Sequence, residues 1–132
     1  MARATRINSH EDLEVYQLAF ALAMRVFELS KGFPREEIYS LTDQVRRASR
    51  SVCANIAEAW RKRRYSADFV SKLNDVETEA TEAQVWVQFA VACGYLPDRV
   101  GKEIRGEYDR VIGKLVNMIN HPEEWVLRSH AG

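Results

Sequence analysis

Only three prolines and six glycines interrupt the 132 residues, and no stretch alternates apolar and polar residues as a half-buried strand must. A chain with so few breakers and no strand pattern is left with long helices. Cysteine is scarce too. Cys53 and Cys93 do not form a Cys-x-x-Cys pair, so they read as two small buried side chains rather than a disulfide or metal site. No apolar run reaches the ~18 residues of a membrane span, and no charged-then-apolar leader ending in small residues opens the chain. A soluble, cytoplasmic protein with no membrane partner is the expectation. The three histidines, His10, His121 and His130, lie at or beyond the expected helix ends. No Glu-x-x-His accompanies Glu77, Glu79 and Glu82, so a carboxylate-bridged metal centre is not expected. A Gly-rich phosphate loop, a Gly-x-Ser-x-Gly elbow and a nucleophile with a local base are all missing. The sequence offers no catalytic residues, no metal ligands and no cofactor site, and reads as that of a non-enzyme.

What is present is apolar spacing of helical period. Ser9, with Asp12 three residues on, forms a capping-box pattern before a helix expected over about 11–30. Its apolar set is Leu13, Tyr16, Phe20, Ala23, Phe27 and Leu29. Lys31-Gly32-Phe33-Pro34 should end it, with glycine supplying a left-handed turn. A second helix is expected over about 36–60, starting near Glu36 or Ser40, with Leu41, Val45, Ala48, Val52, Asn55 and Ala59 as its seam. Ser66 is the expected cap of a third, over 66–94, seamed by Phe69, Leu73, Val76, Ala80, Ala83, Val87 and Ala90. A fourth should run over 98–120, with Val100, Ile104, Tyr108, Val111, Leu115 and Met118 inward. Four such helices joined by short loops predict an all-α, up-down-up-down antiparallel four-helix bundle in one domain. Residues 1–8 and 128–132 are expected to be flexible, while Trp125, Val126 and Leu127 can pack back on the bundle or on another subunit.

The formal net charge is zero, but the charges are segregated. Arg46, Arg47, Arg50, Arg61, Lys62, Arg63 and Arg64 face one acid, Glu58, across residues 46–64. Asp75, Glu77, Glu79 and Glu82 have no base among them. At 100° per residue, Arg46, Arg50, Arg61 and Arg64 fall within about 60° of one another, away from the seam. Several cations on one face suit phosphates. They equally suit water or acids, whether Asp43 and Glu58 nearby or acids of the next helix. Tyr65 beside Arg63 and Arg64 reads as a loop tyrosine, with base stacking as its other use. Asn55 and Glu58 read as structural polar residues that set register and pair with a base. Val85, Trp86 and Phe89 add apolar surface off the third seam, as an oligomer interface would.

The segments EDLEVYQLAF, YSLTDQVRRASRSVCANIAEAW and the run ending ACGYLP resemble the bacterial proteins encoded in intervening sequences of 23S ribosomal RNA genes, also labelled S23-type. The accessory protein of diversity-generating retroelements is similar in fold. Relatives usually carry glycine where this chain has Ala59, so the end of the second helix is expected to be more regular or longer. The resemblance implies a four-helix bundle assembling as a ring-like homopentamer, with no known enzymatic activity. Through the accessory protein it implies contact with a reverse transcriptase and with RNA or DNA. Two functions stay open at this point. One is a nucleic-acid-binding or ribonucleoprotein accessory scaffold using the seven cations. The other is an adaptor whose arginines meet an acidic protein partner.

Overall fold

The computed structural model describes residues 6–127. Four helices account for most of them: α1 (Glu14–Ser30), α2 (Leu41–Arg61), α3 (Ser66–Ala92) and α4 (Asp98–Asn120). Three one-turn 3-10 segments accompany them, and no strand occurs among the described residues. Each helix packs on its neighbours in sequence, and α1 closes on α4, while the backbones of the diagonal pairs α1/α3 and α2/α4 make no close approach. That is the four-helix bundle its apolar spacing requires. No helix among the described residues is long and apolar enough to cross a membrane.

α3 follows its sequence pattern throughout. Phe69, Leu73, Val76, Ala80, Ala83, Val87 and Ala90, the seven residues of the expected seam, are its buried residues. The alanines let α2 and α4 approach. At α4 the approach is so close that Gly101 has no room for a side chain: a Cβ there would lie 2.3 Å from Val91 Cγ2. α3 ends at Ala92 rather than 94, in a Schellman turn. Gly94 takes φ +81, the Tyr95 N–H bonds the Ala90 carbonyl (2.8 Å) and the Gly94 N–H bonds that of Val91 (3.0 Å).

Several expectations need correction. The Ser9 capping box is present, but it caps the 3-10 turn His10–Asp12, and α1 begins only at Glu14. Gly32 is not left-handed; α1 unwinds through i→i+3 bonds from Lys31, Gly32 and Phe33. Of the two expected starts of the second helix the later holds: Ser40 is the N-cap and α2 begins at Leu41, after a 3-10 turn over Arg35–Glu37. Ser66 is the first residue of α3, and its side chain caps nothing. Cys53 is buried as expected, with its thiol pushed up to about 11 by burial, but Cys93 is exposed. The expected flexible ends fall partly outside the described residues, at 1–5 and 128–132. Within the described part, Ile7 packs against the core and the Asn8 N–H donates to Asp12 Oδ2 (2.8 Å).

The largest correction concerns α1. Its buried residues are Val15, Ala19, Leu22, Ala23, Val26 and Ser30. Of the expected set, Leu13 and Ala23 are buried and Tyr16 and Leu29 pack half-buried against the core. Phe20 and Phe27, with Tyr16, follow a second stripe rotated by about 100° toward the outer edge of α2. Phe20 is 50% exposed and Met24, beside it, 47%.

Candidate nucleic-acid interface

The seven cations of α2 and the turn after it do not form one face. Arg46 is half-buried. Its Nε donates to Ser30 Oγ (2.7 Å), and its guanidinium lies 4.8 Å from the Phe27 ring centroid. Arg47 pairs with Asp43 at 2.9 Å. Arg50 reaches the same Phe27 ring at 5.7 Å. Arg63 is half-buried flat on Trp60, 3.4 Å from the ring centroid. It donates to the carbonyls of Trp60 (2.7 Å) and Trp125 (3.4 Å). Burial and the neighbouring Arg61 lower its pKa. Arg46 and Arg63 are therefore spent on the fold. Arg63 ties the C-terminal segment down, helped by its own carbonyl, which accepts from the Leu127 N–H (2.9 Å).

Arg61, Lys62 and Arg64 remain. All three are exposed, and none has an acid at ion-pair distance among the described residues. They sit where α2 ends and the chain turns into α3, beside exposed Tyr65. A surface depression next to them is lined by Asn8, Ser9, His10, Ala57, Glu58, Trp60, Arg61 and Lys62. This end contrasts with α3 and α4. There Lys72, Arg99, Lys102, Arg110 and Lys114 are each paired with a carboxylate, and only Arg105 is not.

Glu58 makes no ion pair with Arg61 or Lys62. It takes Lys72 of α3 at 2.9 Å, and Asp75 lies 3.6 Å from the same amine. The Lys72 hydrogen bond and charge hold the Glu58 carboxyl below its ordinary range, the Lys62 charge adding a little, and the same bond raises Lys72. Asn55 completes the junction: its Oδ1 accepts from Lys72 (3.2 Å) and its Nδ2 donates to Ser51 (2.9 Å to O). Asn55 and Glu58 thus join α2 to α3 through one lysine. The acids of α3 otherwise stay dispersed. Glu79 is half-buried and raised by burial and by Glu82, and Glu82 accepts from Trp86 Nε1 (3.4 Å).

Sequence reasoning missed a second tie. The Glu37 carboxylate accepts from Ser40 Oγ (2.6 Å), the Leu41 N–H (3.2 Å) and the Tyr95 hydroxyl (2.7 Å). It caps α2 and clips the α1–α2 loop to the α3–α4 loop. Those bonds lower the pKa of Glu37 and push Tyr95 up to about 12. Nothing in sequence links residues 37 and 95. His121, Glu123 and Glu124 also bring one ligand atom each within 4.8 Å of one another. All three are exposed, and His121 lies 3.7 Å from Glu123, an ordinary charge arrangement at a helix end.

Residues 11–117 match a known group, the 23S rRNA-intervening sequence proteins. The chain belongs to that family. A solved structure from Bacteroides thetaiotaomicron, described as a protein with unknown function from the S23 ribosomal protein family, is similar. It shares 26% identity and superposes with a TM-score of 0.72, over 80% of this chain and 95% of that one. No curated protein matches the chain.

Proposed function

We propose that this member of the intervening-sequence family is a non-enzymatic, self-associating scaffold that holds nucleic acid by its phosphates. The observation that carries the reading is the cluster of Arg61, Lys62 and Arg64, exposed and unneutralised among the described residues where α2 ends. Phosphate contacts need only such a cluster, and they position a strand without reading its bases. Assembly multiplies a patch that is weak in one copy. A homopentamer, the assembly implied by the family resemblance, would present fifteen such cations. Arg46, Arg47 and Arg63 stand outside this site because the fold engages them, and Arg50 lies away from the cluster, near Phe27.

A filter-binding titration with single-stranded RNA and DNA at two salt concentrations tests the reading. Affinity should fall steeply with salt. Replacing Arg61, Lys62 and Arg64 together by glutamine should flatten the logarithmic salt slope by roughly two to three for each copy engaged. Arg47→Gln should leave it nearly unchanged. Absence of binding at low salt overturns the nucleic-acid reading and leaves the same cations to an acidic protein partner, of which a reverse transcriptase is one example.

A further inference from the structure

Two apolar faces of this bundle are left uncovered, and they lie on opposite sides of it. The first belongs to α1 and α2. Tyr16, Phe20, Met24 and Phe27 form one wall of a groove of ≈ 420 Å³, and Cys53, Ala54 and Ala57 form the other, with Arg50 at its edge. The second is the outside of α3, where Phe89 is 53% and Val85 37% exposed. Trp86 is half-buried beside them, its ring 6.0 Å from that of Phe89. α1 and α3 are diagonal in the bundle, so neither face can cover the other within one copy.

The faces match in charge. The groove is bordered by cations: Arg46, Arg50 and Lys31 all lie against Phe27. α3 carries five acids, Asp68, Asp75, Glu77, Glu79 and Glu82, against the single base Lys72, which is turned toward Glu58. Glu82 sits one turn before Val85. The faces also match in height. Val26 and Leu29 of α1 line one small buried void with Val87 and Ala90 of α3. Met24 and Phe27 are therefore level with Val85 and Phe89, on the far side of the molecule.

We infer that a second copy of this chain is the occupant: the outside of α3 in one copy seats in the α1–α2 groove of the next, with Glu82 turned to Arg50. This rests on the self-association proposed above and adds which two faces meet. Pairing either face with itself would set Arg50 against Arg50 or Glu82 against Glu82, which like-charge repulsion disfavours. A head-to-tail contact between different faces builds a ring or a filament. Because the two faces share one height, neighbouring copies can meet without sliding along the bundle axis.

Light scattering on the full chain tests this, using Phe20→Glu and Phe89→Arg alone and mixed. The wild type should be oligomeric at tens of micromolar and each variant monomeric, with helical circular dichroism retained. Mixed in equal amounts, the variants should form a dimer and stop there, since one keeps its α3 face and the other its groove. Arg50→Glu should weaken assembly by about tenfold, and adding Glu82→Arg should restore most of it. A wild-type monomer overturns self-association altogether. An oligomer that survives both substitutions, a mixture that stays monomeric, or a charge swap that rescues nothing overturns this pairing of faces while leaving self-association intact.

Discussion

α1 and α3 lie diagonally across the same bundle and solve the same problem differently. α3 turns Phe69 inward at its start and only small or aliphatic residues after it, and its packing against α4 leaves no free space for a side chain at Gly101. α1 carries two apolar stripes. Valine, alanine and leucine go inward, while Tyr16, Phe20 and Met24 lie along the outside of α2. The lesson is that interior space, rather than hydrophobicity, chooses the stripe. Phe69 of α3 and Tyr108 of α4 already occupy the interior, α1 adds aliphatic side chains to it, and Phe20 of α1 lies at the rim.

The comparison breaks most visibly at Phe69, which is buried at the start of α3. Phe69→Ala should cost about 3–5 kcal/mol, the loss expected for a fully buried aromatic. Urea denaturation would show it as a lowered midpoint with little change in slope. A cost below about 1 kcal/mol would mean that the α3 interior is as loose as the α1 exterior.

Gly101→Ala is the next sharpest. The added methyl meets the branched Val91 side chain at 2.3 Å, so either that side chain or the helix pair must shift. Overpacking of this kind costs about 1–3 kcal/mol, against which alanine regains up to ~1 kcal/mol of helix propensity. A net loss of about 1–2 kcal/mol is expected. Shortening the neighbour, in the pair Gly101→Ala with Val91→Ala, should recover part of it. A stabilised single variant would refute the close approach of α3 and α4.

These two sites also show how far the sequence could be read. The α3 seam, stepping by four and three, needed no structure, because only one stripe of that helix is apolar over its first turns. Gly101 was invisible: a mid-helix glycine says nothing about what lies across from it. On α1 two stripes were present, and the aromatic one drew the expectation. For the basic cluster, composition located the seven cations. The i,i+4 step from Asp43 to Arg47 could be read from spacing, but not that Ser30 and Trp60 would engage Arg46 and Arg63. Those partners lie on other elements or depend on where α2 unwinds. Glu58 likewise had cations three and four residues away, yet pairs with Lys72 across the helix interface.

A smaller effect of opposite sign is expected on α4. Tyr108 is fully buried, its pKa is raised by that burial, and its hydroxyl has no hydrogen-bond partner among the described residues. An unsatisfied buried polar group costs about 1–3 kcal/mol. Tyr108→Phe removes the group and keeps the ring, so stability should rise by about 1 kcal/mol. A loss of that size would show that the hydroxyl is bonded after all.

The smallest intrinsic effect belongs to Phe20, and it bears most directly on the contrast between the two helices. Phe20→Ser removes a large apolar group from a half-exposed position where the bundle gains little from it. At low concentration, where copies are apart, stability should change by no more than about 0.5 kcal/mol, as for surface substitutions generally. Association favours the folded state by mass action, so a chain that covers this face with another copy should melt at a temperature that rises with protein concentration. In Phe20→Ser that rise should largely vanish while the low-concentration melting temperature stays put. If instead the variant melts lower at every concentration by the same amount, then Phe20 belongs to the core of its own copy, and the outer stripe of α1 is a second interior rather than a docking face.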